Sequence, residues 1–485
     1  MVIFMTKIDY SDWSKEQLIK ELEKFKTRKK YGIVWDDEKV PEKVALDCKD
    51  KLPVLQEVQA REIETDKNQP TNVLIEGDNY HALAVLNYTH NKAIDIVIID
   101  PPYNTGGNDF KYNDNYVNEE DSYRHSKWLS FMKNRLLLAK NIIRDSGGIF
   151  VFIDENEVAQ LRLLMDEIFG KENFKNCMIW SYRTGGAPRK TNIFNPKHDY
   201  ILFYSKSRGL KFNTNLKEKI IYKKDFFGAK KDENGGFYAL VNLRDVIEGE
   251  IELYKDEKPY KVINTKPVIN LSAERVEEFP SQKPIGLIKF ILEVMLYKDN
   301  MTVCDFFAGT GTTGKAVLTI NKETGSHHSF ILCTNNENNI AEDVCYPEVK
   351  KYILGSKKID ALGGNLKYFR TDFVEAKATD TNKKKLVNKS TEMLCLKEEC
   401  FGKIEEHDTF RVYTNNKNKF LGIIYDDEGI EPFKKELKKI NKKFVVYVFS
   451  LDDSAREEEF EDVAELVELR PIPAVILNVY KRIFK

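Results

Sequence analysis

This 485-residue chain predicts an α/β architecture: a mixed, mostly parallel sheet with helices on both faces. Two apolar runs carry the expectation. Ile94–Ile99 and Val303–Phe307 are dense enough in apolar side chains to be strands buried on both faces. The way each run ends is the third observation. Both stop in a sharp turn rich in Pro or Gly, and helical patterns separate each from the next strand, as crossover-connected parallel strands require.

In chain order, Val73-Leu74-Ile75-Glu76 is a short strand ending in Gly77-Asp78-Asn79. Ile94–Ile99 is next, closed by Asp100-Pro101-Pro102-Tyr103-Asn104. Neither proline can donate a ladder hydrogen bond, so the strand stops there. A helix from about Ser126 to Arg144 leads to a buried strand over Gly147–Ile153, and His198–Tyr204 is a later, aromatic-rich strand. Phe279-Pro280-Ser281-Gln282-Lys283-Pro284 precedes an amphipathic helix marked by Ile288, Ile291, Leu292 and Met295. Val303–Phe307 enters Ala308-Gly309-Thr310-Gly311-Thr312-Thr313-Gly314-Lys315, a helix begins at Ala316, and Phe330–Cys333 is the next strand.

Ligands in open α/β sheets bind outside the carboxyl ends of the strands. At Asp100 that end offers a carboxylate, bare carbonyl oxygens and an aromatic ring. The set suits a planar ring bearing an exocyclic NH2, which donates hydrogens and presents a π face. A strand-ending Asp-Pro turn with a half-buried Tyr would look the same. The glycine turn has three readings. Gly309, Gly311 and Gly314 spell a dinucleotide fingerprint, but only Glu337 comes after the next strand as an acid for the ribose. Gly309–Lys315 is one residue short of a P-loop, because Ala316 stands where a hydroxyl must meet Mg²⁺. The third is a loop whose backbone N–H groups and helix N-terminus approach some other polar ligand.

Asp100-Pro101-Pro102-Tyr103 resembles the catalytic motif of S-adenosylmethionine-dependent amino-methyltransferases, in the form typical of DNA adenine-N6 enzymes. Phe307–Gly314 resembles the cofactor loop of the same family, and the two motifs together select the third reading of that loop. The resemblance implies a Rossmann-like methyltransferase fold, and the motif order resembles the β group of circularly permuted members. It implies that Asp100 and the Pro101 carbonyl accept hydrogen bonds from the target amine. Tyr103 then stacks on the flipped base, and Pro102 completes the turn. Such hydrogen bonds favour a pyramidal nitrogen whose lone pair faces the methyl sulfonium, without a covalent enzyme intermediate or a metal. For the cofactor, S-adenosylmethionine, the resemblance implies Asp305 for the ammonium and Phe307, Ala308, Gly309, Thr310, Gly311, Thr312 and Thr313 for the methionine moiety. Asp78 and Asn79 resemble the adenine-edge contact, and Lys283 the lysine near the cofactor carboxylate. At the ribose position the chain departs from the family: Thr334 stands where many members place an acid, which leaves Asn336 or Glu337 for that contact.

Residues 71–204 and 276–375 are thus the catalytic and cofactor-binding halves of one domain. Between them, residues 205–275 change character. Nine Lys/Arg against two acids lie between Lys206 and Lys231, interleaved with Phe212, Tyr222, Phe226 and Phe227 and without sustained period. This is the expected target-recognition region, with Lys206, Arg208, Lys223 and Lys224 toward phosphates. The Tyr182–Lys190 loop places Arg183, Arg189 and Lys190 near the catalytic mouth for the DNA backbone. Residues 1–70 are a charged, helical extension with Trp13, Leu18, Leu22 and Phe25 at helical spacing, resembling that of type III modification subunits. Thr379–Lys385 reads as a linker, and residues 386–485 as an α/β domain for dimerisation or partner docking. Its expected strands are Leu421–Tyr425 and Lys443–Phe449, with a final helix over Ala474–Phe484.

Composition restricts the alternatives. Hydrophobic content of 42%, charged content of 32% and a net charge of −1 describe a globular chain whose phosphate contacts need local charge segregation. No window approaches the ~20 apolar residues of a membrane span, and the apolar stretch at the N-terminus is too short for a signal peptide. Seven scattered cysteines without a C-x-x-C read as reduced cytoplasmic thiols, with neither a metal site nor a disulfide framework. The expectation is a DNA adenine-N6 methyltransferase acting on double-stranded DNA, resembling the modification subunit of a type III restriction–modification system. A restriction subunit and a second copy of the chain are its expected partners. Cytosine-N4 or RNA-base methylation is the nearest rival, disfavoured by the Asp where cytosine enzymes usually carry Ser. An NAD-dependent oxidoreductase is the rival from another class, with no use for Asp-Pro-Pro-Tyr; a catalytically dead DNA-binding module is the third.

Overall fold

The computed structural model describes residues 13–20, 35, 41–107, 109–182, 194–268, 271, 274–276, 282–415, 417–452 and 454–484. They belong to two units, 1–35 and 36–485. In the first, residues 15–20 are helical. Ser14 N donates to Gln17 Oε1 at 2.8 Å and Gln17 N to Ser14 Oγ at 3.2 Å, so the helix start satisfies itself reciprocally. Leu22 and Phe25 lie outside the described residues.

The second unit is built on ten strands: β1 (Lys51–Glu57), β2 (Thr71–Glu76), β3 (Ile94–Ile99), β4 (Ile143–Ile153), β5 (Phe174–Ser181), β6 (His198–Ser205), β7 (Val246–Glu248), β8 (Thr302–Asp305), β9 (Ser329–Thr334) and β10 (Asn365–Glu375). Their spatial order is β1-β10-β2-β9-β8-β3-β4-β6-β5-β7. From β10 to β4 all neighbours are parallel, whereas β6 runs antiparallel between β4 and β5. This is the mixed, mostly parallel sheet expected from the sequence.

Its central strand is β3, buried at every position. Asp95 inside that apolar run is tolerated because Oδ2 accepts from Thr302 N at 2.9 Å. Ile96 and Ile98 share a core with Leu287, Ile291 and Val317 from α4 (Ile285–Met295) and α5 (Thr312–Thr324). Alternation turns Val97 and Ile99 to the other face, where α1 (Asn79–Thr89), α2 (Arg124–Ile142) and α3 (Val158–Phe169) pack on one another. Cys304 in β8 and Cys333 in β9 are free thiols, and burial raises the pKa of both.

The stretch expected to lack periodicity forms a second sheet. Its five antiparallel strands are ordered Lys230–Lys231, Phe237–Asn242, Leu216–Tyr222, Glu250–Lys255, Lys258–Asn264. The alternation was hidden by an acid at an inward position: Glu218, 4% exposed, pairs with Arg244 at 2.6 Å. The supposed linker is also ordered. Residues Asp380–Asn388 are helical, with the Thr379 side chain accepting from Asn382 N at 3.2 Å. Beyond it stands a third sheet, Gly402–Glu406, Phe410–Thr414, Phe420–Ile424, Phe444–Phe449, Val467–Ile472, succeeded by a helix over Ala474–Ile483. It has its own core around Phe410, Phe433 and Phe444. Tyr480 Oη donates to the Pro53 carbonyl of β1, and Lys397 Nζ to the Tyr88 carbonyl of α1 at 2.8 Å, joining this layer to the large sheet. No helix among the described residues is long and apolar enough to cross a membrane.

Candidate active site

β3 and β8 are adjacent parallel strands, with Val303 opposite Ile96 and Cys304 opposite Val97. Strands paired this way lie about 4.8 Å apart, so the turn leaving one carboxyl end must meet the turn leaving the other. One cavity results. Asp100 lines it beside Asp305, Phe307, Ala308, Gly309, Thr310, Thr312 and Thr313, with Phe152, Gln282, Lys283 and Ile288 completing the wall. A larger cleft lies at the opposite, amino ends of the strands, among Thr71, Thr302, Ser329 and Lys367, and holds neither motif.

The Asp100 turn is held from outside. Trp128 Nε1 donates to the Pro102 carbonyl at 2.7 Å. Asn104 takes the left-handed conformation (φ 58°) that Asn tolerates better than most residues, and its Nδ2 donates to Glu157 Oε1 at 2.5 Å. His125 Nδ1 meets the same oxygen at 2.6 Å. Glu157 is fully buried, and that burial raises its pKa against the pull of Asn104 and His125. Inside the turn, Asp100 Oδ2 accepts from Lys283 Nζ at 2.7 Å, while Oδ1 is buried with no donor. A buried acceptor without a partner costs roughly 1–3 kcal/mol, and this one lies in the cavity that the glycine loop lines.

Tyr103 is half-buried beside it, with its hydroxyl 3.4 Å from Asp199 Oδ2. Burial, then Asp100 and Asp199, push the phenol well above its ordinary range. Asp199 itself is raised by burial, with Lys283 pulling it down and Asp100 pushing it up. Asp154, just past β4, is raised to about 6, mainly by burial. The antiparallel strand β6 therefore places a second carboxylate over the catalytic turn.

On the cofactor side, Asp305 is 6% exposed and accepts from Phe307 N at 3.0 Å and Thr313 Oγ1 at 2.6 Å. Burial raises it to about 7 despite those donors, with Asp100 adding to the rise. A buried acid so placed fits a cationic ammonium, whose charge would relieve the desolvation. Gly311 sits in the left-handed region (φ 73°), and a Cβ there would come within 2.7 Å of Val349 Cγ2, so the bend into α5 requires glycine. Lys315 points away from the cavity, fully buried with its ammonium 3.4 Å from Glu348, which fits neither a P-loop nor a phosphate. Asp78 caps α1 by accepting from Tyr80 N at 2.7 Å, and Asn79 Nδ2 donates to the Phe306 carbonyl at 2.9 Å. Both are held by the buried Arg135, which also pairs with Glu42 at 2.7 Å. They brace the cofactor loop and do not line the cavity itself. Asn336 Oδ1 accepts from Ala341 N at 3.1 Å and Glu342 N at 3.2 Å, and Glu337 pairs with Lys111.

The basic residues divide. Lys223 and Lys224 are exposed at a tip of the second sheet with Ile221 and Phe227. Lys206 and Arg208 come after Ser205 at the other end of β6, roughly 20 Å of extended chain from Asp199. Lys206 N donates to the Gly147 carbonyl at 2.9 Å, and its ammonium, lowered to about 8 chiefly by burial, is bonded to the Lys140 carbonyl. The structure does not bring these two to the catalytic turn. Arg183, Arg189 and Lys190 lie outside the described residues. Sequence reasoning missed Asp199, Asp154, Arg135 and the Asn104–Glu157–His125 cluster; of these only Asp199, in the strand expected beside the target pocket, had a usable signal.

A family model described as DNA methylase, covering N6 and N4 enzymes, matches residues 94–344, just over half of the chain. The chain belongs to that DNA methylase family. Among its relatives, the StyLTI Mod subunit, a type III restriction–modification enzyme of Salmonella typhimurium, is 28% identical over 60% of this chain and 57% of its own length. The HindVI Mod subunit of Haemophilus influenzae, a probable type III enzyme, is 39% identical over 30% of this chain and 19% of its own. The type II methyltransferase M.KpnI of Klebsiella pneumoniae is 27% identical over 54% and 79%. The match spans little more than half the length of the first of these type III relatives.

Proposed function

We propose that this DNA methylase family member transfers a methyl group from S-adenosylmethionine to N6 of an adenine flipped out of duplex DNA. We further propose that it acts as the modification subunit of a type III restriction–modification system. The observation that carries the reading is the unpartnered, buried Asp100 Oδ1 in the cavity that the glycine loop and Asp305 also line.

Asp305 would hold the cofactor ammonium, with Phe307–Thr313 around the methionine moiety; the bound cofactor supplies an electrophilic methyl on sulfur. The chain's part concerns the amine. An aniline-like nitrogen is a poor nucleophile because its lone pair is delocalised into the ring. Asp100 Oδ1 accepts one N6 hydrogen and the Pro101 carbonyl the other, and Tyr103 stacks on the base. These acceptors direct the lone pair out of the ring plane and cost no reorganisation at the moment of transfer. The nitrogen–methyl bond would form as the sulfur–methyl bond breaks with its electron pair left on sulfur, and the methylated nitrogen would release one proton to water at the mouth beside Asp154 and Asp199. Flipping is required because the nitrogen is out of reach inside the stack.

Lys223 and Lys224 at the tip of the second sheet suit phosphate contacts, and Arg183, Arg189 and Lys190 are proposed for the backbone near the mouth. Asn336 is proposed for the ribose, and a restriction subunit and a second copy as partners, in the cytoplasm. The test is incubation with duplex DNA and S-adenosylmethionine labelled at the methyl, with digestion to nucleosides afterwards. Label in N6-methyl-2′-deoxyadenosine alone is expected; label in N4-methyl-2′-deoxycytidine, or no label from DNA while a parallel incubation labels RNA, contradicts the reading.

A further inference from the structure

Lys283 sits where its backbone cannot drift. The neighbouring Gln282 side chain is bonded at both ends, donating to the Glu274 carbonyl at 2.9 Å and accepting from Val276 N at 3.0 Å. Pro284 on the other side caps α4. From this anchored position the Lys283 side chain, 9% exposed, passes over the rings of Tyr103 (5.1 Å) and Phe152 (5.5 Å) to reach Asp100 Oδ2 at 2.7 Å. The pairing joins residues 183 positions apart. We propose that Lys283 is a positioning residue of the transfer: it fixes Asp100 through Oδ2, so that the carboxylate stays an acceptor and Oδ1 alone faces the base amine.

The inference rests on the methyltransferase reading and differs from it in giving Lys283 a partner on the catalytic side. Two consequences of the geometry support it. A carboxylate free to rotate offers either oxygen in many directions; one oxygen held by a short charged hydrogen bond sets the plane of the other. The second consequence is electrostatic. The groups facing Asp100 are Tyr103 from its own turn, Asp199 from β6, Asp305 from β8 and Lys283 ahead of α4. Two of these are carboxyl groups and one is a cation. Lys283 is the only described cation paired with Asp100, so its loss leaves the carboxylate with nothing to draw Oδ2 to one side.

The experiment compares the wild-type chain with Lys283→Met and Lys283→Arg. It measures kcat and KM on duplex DNA, S-adenosylmethionine binding by calorimetry, and melting curves as a control for folding. Lys283→Met is expected to lower kcat about 100-fold, with the KM for duplex DNA within about threefold of wild type. Affinity for S-adenosylmethionine should stay within about threefold, a difference worth under 1 kcal/mol, and Lys283→Arg should restore most of the rate. If Lys283→Met fails to fold, Lys283→Gln carries the same expectation. A kcat within about threefold of wild type overturns the proposal, as does about tenfold or greater loss of cofactor affinity, which assigns Lys283 to the cofactor carboxylate. A wild-type chain that binds S-adenosylmethionine but methylates no DNA overturns the functional reading itself, and the proposal with it.

Discussion

The ends of β2 and β3 carry similar chemistry and use it differently. Each parallel strand gives way to an aspartate with an asparagine close behind, Asp78-Asn79 after β2 and Asp100 with Asn104 after β3. At Asp78 both oxygens are engaged: one caps α1, and both face Arg135, which also meets Asn79, Glu42 and Phe131. At Asp100 only Oδ2 is engaged, while the asparagine four residues on is buried against Glu157 as a strut. Asp78, with donors on both oxygens, holds the fold together. Asp100 keeps one buried oxygen without a donor in the cavity that the glycine loop also lines, and is the one proposed to meet a ligand.

Changing the β2 end should therefore cost stability. Arg135→Met removes the only described cation paired to the buried Glu42 and releases Asp78 and Asn79. Stranding a buried charge typically costs ~3–5 kcal/mol, so a clear fall in melting temperature is expected by calorimetry; an unchanged melting curve would break the comparison. A smaller effect sharpens it on the cofactor side. Asp305 is raised to about 7 by burial, and a cationic ammonium needs it ionised. A carboxyl whose folded pKa is raised takes up a proton as pH falls through that value, so S-adenosylmethionine binding should weaken by about tenfold between pH 8 and pH 6. Calorimetry showing pH-independent binding over that range would remove Asp305 from the ammonium site. The smallest effect is expected at the tip of the second sheet. Phe227 is fully exposed, and Phe227→Ala should change stability by less than about 0.5 kcal/mol. Duplex affinity should fall measurably in the same variant; equal loss in stability and binding would place Phe227 in a core instead.

Local signals were legible in the sequence, and long-range pairings were not. β3 and β8 could be read because an apolar run, two prolines and a glycine bend are all contiguous, and their meeting in one cavity comes from adjacency in a parallel sheet. The Lys283–Asp100 bond and the Arg135 cluster join residues far apart in the chain, so no window contains them. The second sheet was obscured by Glu218, an inward acid paired with Arg244. The helix at Asp380–Asn388 was obscured by its polarity, since only Leu386 and Val387 are buried. Lys206 was misleading for a related reason. Sequence shows its charge, but the antiparallel direction of β6 carries it to the far end of the sheet from Asp199.

The most direct test of the account is Asp100→Ala, assayed for S-adenosylmethionine binding and for methyl transfer to duplex DNA in the same preparation. The account predicts cofactor affinity close to wild type and a loss of transfer of at least about 10³-fold, since a preorganised acceptor made for the transferring nitrogen would be gone. A folded Asp100→Ala protein that still transfers methyl groups at the wild-type rate would contradict it.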